Sequence, residues 1–221
     1  MVAAEHSVRM SFFPTMAVHL IFGLLALSCL GAASEPDCKE LLKPLVLDDR
    51  SPLYGKWIFY AGTSDVEDFL KFLKTIKTSW IDIAPIADSG NITLRWGDRI
   101  NENCVLGCIN STYADNSSEV SFKFNFYTSW HDGKYIETCP DCILWADSAE
   151  ISTSEGTKQG RNLFLYTRTG NLDDSQLEVF KKQAACLNFP QVFHFGGNKD
   201  LCPDEQHEAT LPPTETSSRG Q

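Results

Sequence analysis

Val120-Ser121-Phe122-Lys123-Phe124-Asn125-Phe126 carries a large apolar side chain at every second position and a polar one between. Successive side chains of a β-strand point to opposite faces, so this stretch offers one face to a core and the other to water. The same period runs outward in both directions. Upstream lie the run from Cys104 to about Ala114, Asn91–Trp96 behind a Gly90-Asn91 turn, and Trp80–Ala84. Downstream, Asp132-Gly133 reads as a hairpin turn, followed by Tyr135–Thr138, Cys142–Ala146 and Asn162–Arg168. Ser148–Gln159 is polar and reads as a loop or a weak strand. Gly55–Ala61, rich in aromatic and β-branched residues, is the first strand.

Two segments have a helical period instead. Ser64-Asp-Val-Glu67 has the form of a capping box, opening a short helix with Val66, Phe69, Leu70, Leu73 and Ile76 on one face. Asp173-Asp-Ser-Gln176 caps a second helix with the stripe Leu177, Phe180, Ala184 and Leu187, stopped by Asn188-Phe-Pro190. About eight short antiparallel strands with a helix after the first and another after the last must resolve their sheet edges, and closure does so. The expected fold is all-β: an eight-stranded antiparallel up-and-down barrel with a C-terminal α-helix. Such a barrel has room for one small ligand.

The 221 residues carry a formal net charge of −10, and the isoelectric point is near 4.9. That balance argues against nucleic acid and anionic membrane surfaces, both of which need a Lys/Arg excess. The apolar run Leu20–Leu30, followed by Gly31-Ala32-Ala33-Ser34, is too short to span a bilayer and has the form of a secretory signal. The expected organisation is a signal over 1–33, one domain over 34–202 and a disordered Pro/Thr/Ser/Glu tail over 203–221. Sequons at Asn91, Asn110 and Asn116 agree with export and are candidate glycan sites.

Eight cysteines become seven once Cys29 leaves with the signal. In an oxidising compartment most should pair, with one left over. Spacing alone leaves the connectivity open. It also leaves open a zinc site from Cys104, Cys108, Cys139 and Cys142, and a redox role for Cys139-Pro-Asp-Cys142, though disulfides are the simpler reading. Neither a metal nor a cofactor is expected.

Gly55-Lys56-Trp57 at the head of the first strand resembles the G-x-W motif of lipocalins. Ala185-Cys186-Leu187-Asn188-Phe189-Pro190 and Lys199-Asp-Leu-Cys202-Pro-Asp-Glu-Gln-His207-Glu are similar to the C-terminal region of the alpha-1-acid glycoprotein (orosomucoid) group. Within it, the resemblance is to the fish tributyltin-binding and saxitoxin- and tetrodotoxin-binding proteins. It covers about Cys38 to Glu208. It implies a secreted, glycosylated plasma carrier without catalysis, holding small lipophilic or cationic compounds in a calyx open at one end. It implies Cys38–Cys186 and Cys104–Cys202 bridges. Subtraction then pairs Cys139 with Cys142 and leaves Cys108 as the odd thiol, through which a monomer would become an oligomer. A turn motif of the family survives only as Ala146-Asp147, and Arg168 would lie against Trp57.

The resemblance also chooses the inner face. The implied ligand residues are Phe59, Ile81, Ile83, Leu94, Trp96, Asp98, Phe122, Phe124, Phe164 and Tyr166, each set at period two along its strand. Asp98 is the expected partner for a cation, and the aromatic wall suits apolar or cationic ligands. Two other readings compete. One is an acute-phase or immunomodulatory glycoprotein acting through its surface. The other is a lipid isomerase using Cys108 as nucleophile. Soft tin could also bind a thiolate, at Cys108 or at an open Cys139/Cys142 pair.

Overall fold

The computed structural model describes residues 37–113, 119–124, 128–153 and 156–204, with side chains outside 112–130 and 151–155. The expected signal, Asn116, the side chains of Phe122 and Phe124, and the tail from residue 205 lie outside the described residues.

The alternating runs form nine strands. β1 is Gly55–Ser64, β2 Ile76–Pro85, β3 Ile92–Ile100, β4 Asn103–Tyr113 and β5 Glu119–Phe124. β6 is Thr128–Ile136, β7 Cys142–Thr153, β8 Gly156–Thr167 and β9 His194–Phe195. The helices are α1 Cys38–Leu41, α2 Glu67–Leu73 and α3 Asp174–Cys186. The sheet runs β2-β3-β4-β5-β6-β7-β8-β1-β9, and β2 also pairs with β1, so the sheet closes on itself. No helix among the described residues is long and apolar enough to cross a membrane.

Asp132-Gly133 is not a turn. Both residues sit inside β6, with Gly133 opposite Val120 on one side and Asp147 on the other. A Cβ on Gly133 would lie 2.4 Å from Trp145 Cζ2 and 2.6 Å from the Ala146 carbonyl oxygen. Glycine is there to admit the indole, not to reverse the chain. The polar stretch from Ser148 resolves as strand: β7 and β8 pair continuously from Cys142↔Thr167 to Thr153↔Gly156.

The expected capping box also differs. Ser64 still belongs to β1, and Val66 is the N-cap of α2 with no side-chain cap bond. The Ser64 hydroxyl donates to the Arg161 carbonyl and accepts from Val66 N–H, tying the strand end to β8. Ile76 opens β2 instead of closing the helix face. At α3 the expectation holds: Asp173 accepts from Gln176 N–H at 2.9 Å, and Asn188 takes a positive φ where the helix stops.

A β-bulge controls which side chains of β1 point inward. Phe59 pairs with Tyr166 but Ala61 with Leu165, so Tyr60 is the extra residue. Trp57 and Phe59 face in, and past the bulge Gly62 and Ser64 do. Ala61, with Leu163 and Leu165, faces out and packs under α3 through Phe180, Ala184 and Phe189. The Cys38–Cys186 and Cys104–Cys202 disulfides stand as the resemblance implied, and Cys139–Cys142 as subtraction left it. Cys108 is a free, exposed thiol.

Candidate functional site

The antiparallel register brings the expected ligand residues to one face. Trp57 stands opposite Ile81, Ile81 opposite Trp96, Ile83 opposite Leu94, and Phe59 opposite Tyr166. Phe164 stands opposite Gly62 and Trp145. Asp98 faces Ser79 and Val105. Of the two residues whose side chains are not described, Phe122 holds the register position opposite His131 and Phe124 that opposite Ser129.

Burial divides this face into a floor and a wall. Leu53, Trp57, Ile83, Ile92, Tyr135, Ile143 and Trp145 pack into one buried cluster at the end where β1 begins. Ile83, 1% exposed, therefore belongs to the floor. Ile81, Leu94, Phe164 and Tyr166 are partly buried and pack against that cluster, and Trp96 and Asp98 are partly buried further along the same face. Trp96 lies flat across β4, because a Cβ on Gly107 would be 1.9 Å from its Cζ2. Phe59 meets Phe164 and Tyr166 edge-on, at centroid distances of 6.3 and 5.8 Å.

Among the described residues, no cationic group acts on the Asp98 carboxyl of the wall. Burial pushes the Asp98 carboxyl above its ordinary range, and the Ser79 hydroxyl, hydrogen-bonding to it, pulls the other way. Burial, and then the fields of Asp98 and Asp147, raise the Tyr166 phenol, so it stays neutral.

Several groups were missed in the sequence. Asp147 is in mid-strand, not in a turn. Its carboxylate accepts from Trp145 Nε1 at 3.1 Å and Asn162 Nδ2 at 2.8 Å, and lies 2.9 Å from His131 Nδ1. Ile143, Trp145 and Asp147 alternate at period two, which was the available signal. Phe69 of α2 packs on Phe164 at 6.2 Å, over the end of the wall where β1 finishes. Asp65 pairs with Arg161 and Asp68 with Lys158, holding this segment to β8. His194 stacks on Phe59, from a strand that sequence periodicity did not disclose because it is two residues long.

Cys108 is placed away from this space. It stands opposite Arg95, on the β4 face that alternates with the inward Gly107 and Ile109. Arg95 in turn pairs with Asp82 and Asp204 outside the barrel. With Cys104, Cys139 and Cys142 bridged, the four-thiolate zinc site and the open Cys139/Cys142 tin site do not form. No cluster of metal-ligating side chains occurs among the described residues.

A family model described as the ApoM domain matches residues 46–206. Among solved structures, the chain is similar to the siderocalin Ex-FABP, described as functioning through dual ligand specificities. That match has 14% identity and a TM-score of 0.55, over 70% of this chain and 100% of that one. It is similar to a dog lipocalin allergen at 17% identity and a TM-score of 0.55, over 69% of this chain and 98% of that one. It is also similar to lipocalin 12 from rat epididymis at 10% identity and a TM-score of 0.56, over 72% and 90%. These likenesses show the lipocalin fold. No curated protein matches the sequence.

Proposed function

The chain belongs to the ApoM domain family, and from that premise we propose that it is a secreted carrier of small lipophilic or cationic compounds. The observation that carries this reading is the half-accessible aromatic wall above a packed floor, with Asp98 on it. Apolar area desolvates the ligand, and a few placed polar groups orient it. The ring faces of Trp96, Phe164 and Tyr166 suit apolar groups and organic cations alike.

The narrower resemblance, to orosomucoid and the fish tributyltin- and toxin-binding proteins, supports exogenous compounds as cargo. It rests on Gly55-Lys56-Trp57 and the segments around Cys186 and Cys202. The three bridges, the signal-like leader and the sequons at Asn91 and Asn110 support extracellular life and glycosylation. An organotin would be held by burial of its alkyl groups. The outward position of Cys108 speaks against a thiol-dependent isomerase acting on a molecule in the calyx.

Native mass spectrometry of the protein purified from its source tests the proposal. The expected result is a stoichiometric small-molecule adduct that is lost on denaturation. A barrel that arrives empty and also fails to quench tryptophan fluorescence with any hydrophobic amine or organotin would overturn it. That outcome would favour the surface-acting glycoprotein.

A further inference from the structure

β1 and β2 pair only from Gly55↔Ile83 to Ile58↔Trp80. Beyond that they separate, and the segment 194–197 fills the gap. Ala61 pairs with Phe195 and Gly62 with His194, while Gly197 bridges to Thr78. The residues that follow the last β1–β2 pair are Phe59 and Ser79. Tyr166 stands opposite Phe59, and Asp98 opposite Ser79. Tyr166 and Asp98 thus face the interior from the two sides of this seam.

The Tyr166 ring packs against the floor cluster and meets Phe59 edge-on. Its hydroxyl has no hydrogen-bond partner among the described residues. Of those residues, only the Ser111 hydroxyl is both unpaired and wholly sealed from water. The Tyr166 hydroxyl, unpaired as well, therefore borders open space. Two carboxylates act on it, Asp98 from β3 and Asp147 from β7. A phenol between two negative fields keeps its proton and remains a donor. The same fields make the space beside it hostile to a further anion. No cationic group among the described residues acts on either Tyr166 or Asp98.

We propose that the Tyr166 hydroxyl donates to an uncharged carbonyl oxygen on the cargo, and that the calyx excludes carboxylates such as fatty acids. This deepens the carrier reading and rests on it. A ketone, ester or amide takes the phenolic hydrogen without adding charge. A carboxylate takes the same hydrogen but brings a negative charge into the fields of Asp98 and Asp147, with nothing to offset it. A hydrocarbon leaves the hydroxyl without a partner.

The probes are 2-octanone, its hydrocarbon isostere 2-methyl-1-octene and octanoate, each displacing the dye N-phenyl-1-naphthylamine from the full protein at neutral pH. The ketone should displace the dye, and octanoate should fail at concentrations where the ketone saturates. Tyr166→Phe should weaken the ketone about tenfold relative to the isostere, the worth of one hydrogen bond. A second readout uses the unmutated protein. The carbonyl stretching frequency of the bound ketone should lie below its value in hexane. A bound ketone at the hexane frequency, or a ketone and isostere weakened alike by Tyr166→Phe, would overturn the donor and leave the carrier standing. Octanoate that matches the ketone would overturn the exclusion of anions. A protein that takes up neither the dye nor any probe would remove the carrier reading and this one with it.

Discussion

The guanidinium of Arg168 lies 3.4 Å over the ring of Trp57. Its nitrogens also donate to the carbonyls of Pro52, Tyr54 and Lys56, and Trp57 Nε1 donates to Leu53 at 2.7 Å. One side chain thus fastens the chain entering β1 to the floor at the end of β8. Arg168→Ala should cost about 2–3 kcal/mol in urea unfolding, combining a cation–π contact with lost hydrogen bonds. Arg168→Lys should recover little, because an ammonium cannot serve three carbonyls while lying flat on a ring. Full stability in the lysine variant would contradict this geometry.

Asp98 makes the empty protein sensitive to pH. Burial raises its pKa above that of the unfolded chain, so the folded state holds the proton more tightly. Its stabilising contribution is present at low pH, below the unfolded value, and is lost as pH rises through the folded value. Asp98→Asn, which cannot ionise, should gain in melting temperature over the parent as pH rises through that range. An unchanging difference would remove Asp98 as the cause.

Gly133→Ala should destabilise by about 1–3 kcal/mol, since the new methyl meets both an indole and a backbone carbonyl. A residue in an exposed Asp-Gly turn would behave differently, because its cost would follow backbone conformation and not the neighbour's size. Pairing Gly133→Ala with Trp145→Leu separates the two: the double variant should lose less than the sum of the two single losses, because the indole clash is shared while the Ala146 carbonyl still opposes the methyl.

Asp147 holds Trp145, Asn162 and His131 around one buried carboxylate. Asp147→Ala strands these groups inside the barrel, and about 3–5 kcal/mol should be lost. The intrinsic fluorescence of Trp145 should change with it. A variant as stable as the parent in chemical denaturation would show that water replaces the carboxylate.

The bridges should differ in weight. Cys38–Cys186 spans 148 residues and Cys139–Cys142 only three. Replacing the first pair by serine should cost roughly 2–5 kcal/mol and the second much less, by loop-closure entropy. Equal losses in melting temperature would point to strain or packing instead.

The strands and the C-terminal helix were legible because each buries one continuous face, and that requirement writes a period into the residues. Trp57 and Phe59 of β1 and the stripe Leu177–Phe180–Ala184–Leu187 are the clear cases. Local signals failed where a distant partner decided the outcome. Asp132-Gly133 looks like a turn until Trp145 is laid across it. Ser64-Asp-Val-Glu67 looks like a cap until the Ser64 hydroxyl is claimed by Arg161. The inner face was legible only through family resemblance, because alternation says which residues share a face and not which face is enclosed. β9 left no periodic trace, since its place depends on the gap that β1 and β2 leave.

That gap is filled by the last part of the domain to be synthesised. Residues 194–197 complete the wall, and Cys202 follows with its bond to Cys104 and its carbonyl accepting from Trp80 Nε1. A growing chain that has released β1 to β8 and α3 still has an open seam beside Phe59. Until those residues emerge, the apolar interior is reachable from the side, and Cys104 lacks its native partner. The final ten or so residues of the domain are therefore the closing step of assembly, and the one on which protection from premature aggregation depends.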